Sequence, residues 1–216
     1  MAPDGLRGWG YADVLPYFKR SEDNPERPDD PYHGIGGPLY VGKAKAENPL
    51  YSSFLKAGDE AGFPRNDDPN GARQEGLGVY DFNIRLGRRE SSATAFLKPA
   101  LGRHNLAVWT RALATRIIIE NGRATGLELL RNGVRTEVKA RHEIVLSGGA
   151  INSPQLLQLS GIGNAEDLAG VGIEPVVESR NVGRNLQDHL GVYLTYACKD
   201  PITLYSLFRP DRAALA

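Results

Sequence analysis

Cysteine is nearly absent: Cys198 stands alone among 216 residues. That excludes a disulfide within the chain and any metal site built on several thiolates. A reducing, cytoplasmic setting is the expectation that follows. Long apolar runs are missing as well, and nothing nears the ~18 consecutive apolar residues of a membrane-spanning helix. The opening MAPDGLRGWGYADV lacks the apolar core of a secretory signal. There is no excess of charge, because Lys and Arg number 26 against 26 Asp and Glu. The basic face of a nucleic-acid binder is therefore not expected. Nor is there a dinucleotide phosphate loop. Gly161-Ile162-Gly163 follows a helical pattern rather than a strand, and Glu166 stands where the third glycine belongs. Gly34-Ile35-Gly36-Gly37 has no strand before it and the wrong spacing.

Glycine and proline are plentiful, at 25 and 14, somewhat above the usual ~7% and ~5%. Many turns are implied around a core that 41% hydrophobic residues can supply. Helical spacing is expected over Tyr11–Arg20 with Asp13 as cap, from Asn48-Pro49 to about Ala61, and from Ser91-Ser92 to Ala100. GGPLYVG and Leu77–Ile84 read as short strands, with an irregular segment between the first helix pair and the second strand. Asn105–Thr110 reads as a strand. Beyond it, Thr115–Glu120, Thr125–Leu130 and Val134–Ala140 are separated by Asn121-Gly122 and Asn132-Gly133. Two Asn-Gly pairs between β-rich runs predict an antiparallel meander.

Glu143–Ser147, with the apolar run Ile144–Leu146 at its centre, reads as a strand buried on both faces. It runs into Gly148-Gly149, and a helix is expected from Ser153 as N-cap, with Pro154 in its first position and Gly161 just past its end. Two readings of the glycine corner stay open. One is plain tight packing. The other is a nucleotide-type ligand lying against bare backbone at the carboxyl edge of a strand, near a helix N-terminus.

GAINSPQLLQLSGIG, residues 149–163, resembles the second sequence signature of the glucose–methanol–choline flavin oxidoreductases. Gly8-Trp9-Gly10-Tyr11 through VLPYFKRSED, GRRESSATAFLKPAL, NLAVWTRALATRIIIENGRATGLEL and NVGRNLQDHL resemble further stretches of that family, in the family's order. The resemblance implies a mixed α/β (α+β) chain. It would hold part of a Rossmann-like FAD-binding domain with an antiparallel meander inserted, plus part of a substrate-binding domain. The implied boundaries are 1–36 as an extension of the FAD domain, 37–90 on the substrate side, 91–190 as the second half of the FAD domain and 191–216 as the start of the substrate domain.

The family's activity is hydride transfer from a small-molecule alcohol to FAD. Its first glycine fingerprint and its catalytic histidine match nothing here, so the resemblance implies the middle of a longer enzyme that is inactive by itself. A truncated product or an interaction module is the alternative, and an NAD(P)-dependent dehydrogenase is a weaker one. In the family's NLxVxTxAxV stretch the last residue contacts adenine through its main chain, which places Ala114 at the cofactor. Ser147-Gly148-Gly149-Ala150 corresponds to a turn beside the cofactor, which adds Gly148 and Gly149. No catalytic residue and no metal ligand is expected. His189 is expected to be structural, His33, His104 and His142 to be solvated, and Arg88-Arg89-Glu90 to be a solvated charge cluster. Neither the alcohol nor the electron acceptor is named by any residue.

Overall fold

A computed structural model of the chain describes residues 7–45 and 47–204. Contacts divide the chain into two units, one of Ala107–Leu194 and one of the remainder.

The larger unit is built from helices and very short ladders. Helix α1 (Tyr11–Ser21) is capped at Gly10, whose N–H donates to Asp13 Oδ2 at 3.0 Å. Asp13 thus serves the cap from inside the first turn instead of being the cap itself, and Pro16 is accommodated within the helix. Strands β1 (Glu22–Asp23) and β2 (Leu39–Tyr40) pair in parallel. Strand β3 (Gly42–Lys43) follows, and then α2 (Pro49–Glu60) starts as expected, with Asn48 accepting from the Leu50 N–H. β4 (Asp81–Phe82) pairs antiparallel with β3, and β5 (Ile84–Arg85) with β6 (Arg88–Arg89). The helix expected after Ser91-Ser92 is a π-helical turn, Ala93–Leu97, continuing as α3 (Lys98–Ala100).

The smaller unit centres on the meander. β7 (Ala112–Glu120), β8 (Arg123–Arg131) and β9 (Val134–Lys139) form one antiparallel sheet in that order. Both Asn-Gly pairs sit in the left-handed region, with φ of 52° and 74° at Asn121-Gly122 and 51° and 79° at Asn132-Gly133. That double positive φ defines the tight hairpin whose twist suits the flanking strands. Ile117 and Leu129 are the buried core of the sheet. Helix α4 (Gly149–Leu159) packs on β7. Ser160 fastens the two: its Oγ accepts from the Ile117 N–H at 2.8 Å and donates to the Leu156 carbonyl at 2.6 Å. β10 (Ile162–Gly163), α5 (Ala165–Gly170) and β11 (Val177–Glu178) complete the unit, with Leu168 buried beneath them.

Two expected strands do not form. Asn105–Thr110 has no ladder, and neither does Glu143–Ser147. The second is not buried on both faces either, since Val145 is 76% exposed. A parallel strand needs neighbours brought from far along the chain, and no described residue supplies them. The mixed α/β character stands, but the only ladder of more than two strands among the described residues is antiparallel.

Candidate functional site

The glycine corner leads straight into α4. Gly148 is the N-cap, so the helix begins well before Ser153, and Pro154 lies inside it. Ser153 still serves the helix start, because its Oγ accepts from the Gly148 N–H at 2.9 Å. The two glycines have separate local reasons. Gly149 has φ +87°, a conformation that side chains rarely adopt, with open space where its Cβ would be. At Gly148 a Cβ would come within 3.2 Å of the Asn152 Cβ and the Ser153 nitrogen. Backbone geometry therefore accounts for the pair without a ligand, while leaving the corner exposed.

That corner faces a cavity of about 240 Å³ lined by Leu113, Ala114, Leu146, Gly148, Asn152 and Leu156, among others. Ala114 and Gly148, 34 positions apart in sequence, thus share one wall. Gly149 does not line it. Ala114 sits beside an irregularity in the ladder: its register with Leu129 shifts before Arg116 resumes with Glu128. Thr115, at the shift, donates to the Glu128 carboxylate at 2.6 Å. Together with Arg135 at 3.1 Å from the same carboxylate, this fixes the bulge that presents Ala114. Glu128 is held below the ordinary carboxylate pKa, first by the Thr115 hydrogen bond and then by the charge of Arg135. Bulges recur next to functional sites because they re-aim the strand. Nothing in the sequence pattern marks this one.

The cavity's leucine walls offer dispersion contacts, and Asn152 and Gln155 bring amides to it. Drug-sized ligands occupy roughly 300–1,000 Å³, so this volume suits part of a dinucleotide and not all of it.

The histidines divide. His104, His142 and His189 are exposed, and Asp188 Oδ1 accepts the His189 N–H at 2.8 Å. His33 is not solvated. It is only 6% exposed, in the other unit, with Glu22 on one ring nitrogen and Asp68 on the other. A histidine in a Pro/Gly loop reads as surface. The carboxylate that encloses this one from the far side is 35 residues away, beyond the reach of local pattern. Asp30, His33 and Asp68 each bring one potential ligand atom to within 4.8 Å of the others. Arg88 and Arg89 are exposed as expected, whereas Glu90 has a buried carboxylate oxygen.

The GMC oxidoreductase family model matches residues 2–191. The chain belongs to the GMC oxidoreductase family. Among curated relatives, it is 47% identical over 203 residues to the oxygen-dependent choline dehydrogenase of Staphylococcus xylosus, covering 94% of this chain and 36% of that protein. It is 48% identical over 208 residues to the mitochondrial choline dehydrogenase of Homo sapiens, covering 96% of this chain and 35% of that one. This GMC chain therefore spans about a third of the length of such relatives. Among solved structures, pyridoxine 4-oxidase from Mesorbium loti superposes with a TM-score of 0.74 at 37% identity, over 81% of this chain and 34% of that one. A FAD-dependent oxidoreductase from Chaetomium thermophilum superposes with a TM-score of 0.72 at 26% identity, over 81% and 32%. No helix among the described residues is long and apolar enough to cross a membrane.

Proposed function

We propose that this chain is part of a FAD-dependent GMC enzyme that oxidises the CH–OH group of a small alcohol, and that it carries the adenine side of the cofactor site. The observation that supports this most directly is the shared cavity of Ala114 and Gly148. When bound, FAD supplies the hydride acceptor. The chain's own residues do the holding. The ladder irregularity lies beside Ala114, leucine side chains offer apolar contact to a ring, and the small corner at Gly148 leaves room for its close approach. Gly149 contributes by setting the turn rather than by touching the ring. No residue here is assigned to the chemical step.

A second reading has support of its own. Glu143–Ser147 has no ladder, and the chain spans about a third of the length of its relatives. On that reading the 216 residues alone are inactive and hold flavin weakly, acting as an interaction module.

Both readings are tested by replacing the aligned segment of the human relative with residues 2–191 of this chain. The purified chimera should carry near-stoichiometric flavin absorbance and reduce a dye in the presence of alcohol. The isolated chain should carry little flavin. Ala114→Phe in the chimera fills the cavity and should strip the flavin while the protein stays folded by circular dichroism. A chimera that folds but is colourless, or an Ala114→Phe chimera that keeps its flavin, overturns the cofactor assignment.

A further inference from the structure

The loop between α2 and β4 folds on itself through asparagine and aspartate side chains. Asn66 accepts from the Asp68 N–H at 2.9 Å and donates to the Arg73 carbonyl at 2.7 Å, and Asp68 accepts from the Asn70 N–H at 3.1 Å. Two cationic side chains tie this tip to the segment between β1 and β2. Arg27 donates to the Asp67 carbonyl and lies 3.7 Å from Asp68 and 3.6 Å from Asp81. His33 is the other. Its Nδ1 is 3.0 Å from Glu22 Oε1 and its Nε2 is 3.0 Å from Asp68 Oδ2.

An imidazole has one N–H when neutral and two when protonated. Ionised carboxylates only accept. A neutral His33 can therefore satisfy one of its two partners and must set a lone pair against the other. Only the imidazolium donates to both. Glu22 is itself fixed, because it also accepts the Gly34 N–H at 2.9 Å. Asp68 is fixed by its own loop. His33 is only 6% exposed, which limits how well water can substitute for the second bond.

We propose that His33 is a protonation-dependent latch, fastening the 66–70 loop to the β1–β2 segment as an imidazolium and releasing it when the proton leaves. The groups that face it from each neighbour are Glu22 on β1, Asp68 on the loop and Asp30 on its own segment. Arg27 and Asp81 lie one step further, and Lys19 on α1 donates to the Asp30 and Pro31 carbonyls at 3.1 and 3.0 Å. The loop contributes Asn70 to a cavity of about 410 Å³ whose wall also includes Tyr11, Phe18, Tyr32, His33 and Asp81. Release therefore loosens one wall of that cavity. Arg27 keeps its charge at any accessible pH, so its ties to Asp67 and Asp68 persist and release loosens the tip without unfolding the unit.

The sign follows from the environment. Burial pulls the His33 pKa down, but hydrogen bonds to Glu22 and Asp68 outweigh it, and the net direction is up from 6.5. The latch is complete below the ordinary histidine value and is lost as pH rises through the raised one.

The test is hydrogen exchange of the 64–78 segment in the full 216-residue chain at pH 6 and pH 9, corrected for intrinsic exchange chemistry, with nitrogen NMR of the His33 ring alongside. Corrected opening should be roughly tenfold greater at pH 9, and the ring should carry two N–H protons at pH 6. His33→Gln should remove the pH dependence. Asp68→Asn, which keeps the loop's local turns but removes one carboxylate, should move the ring's titration downward and provides the same check if the glutamine variant fails to fold. A ring with one proton at pH 6, equal opening at both pH values, or an unchanged pH dependence in His33→Gln overturns the latch. So does tight zinc binding that displaces the ring protons at pH 7, which would assign Asp30, His33 and Asp68 to a metal instead.

Discussion

The two units are held together differently. Between Ala107 and Leu194 the buried side chains include Ile117, Leu129, Leu168 and Ser160, which bonds the Ile117 N–H. The strands that carry Ile117 and Leu129 are sequence neighbours joined by a turn of two residues, and Ser160 ties α4 to them from 43 residues along the chain. In the remainder, buried side chains include Asn24 and His33, and the long-range ties run through Glu22, Arg27, Asp68 and Asp81. Apolar burial is non-directional and nearly indifferent to pH. Paired charges depend on protonation. One sequence thus contains a part held chiefly by area removed from water and a part in which one loop contact also depends on a proton.

The sharpest test of that contrast is the sheet core. Ile117, 4% exposed, should cost about 3 kcal/mol when cut to alanine, read as a fall in the urea midpoint followed by the fluorescence of Trp109, which stacks under Arg131 at 5.0 Å. Next is Ser160→Ala, which leaves the buried Ile117 N–H without its acceptor. It should cost about 2 kcal/mol, by the same measurement, with little change between pH 6 and pH 9. A marked pH dependence in either variant would erase the distinction between the units. The smallest effect is expected at Val145→Ala. Its side chain is already 76% exposed, and the change should stay within about 0.5 kcal/mol. A loss comparable to that of Ile117→Ala would show that this apolar ribbon is packed after all.

What could be read from the sequence follows the same division. The meander was legible because each strand's partner is its neighbour and Asn-Gly names the turn. The Asn48-Pro49 helix start was legible because capping is local. Glu143–Ser147 has the composition of a buried strand, but a strand is a relation between segments, and composition reports only one of them. Ser153 and Pro154 have the chemistry of a helix start but lie four residues inside the true one. There, Ser153 caps backwards onto Gly148. The meeting of Ala114 with Gly148 was readable only through resemblance to a family, since spacing alone does not bring position 114 to position 148. The burial of His33 is not legible in sequence, because its contact with Asp68 is made 35 residues away.

Strand β9 is an exposed edge, yet Arg135, Glu137 and Lys139 stud it with charge at alternate positions, which discourages a stranger from pairing there. Ile144-Val145-Leu146 carries no charge of its own and is guarded only on one side, by Glu143. Its open main chain and greasy side chains are a template for other copies of itself. At high concentration these residues are where clumping should start, and a single lysine at position 145 is the economical way to keep the purified chain in solution.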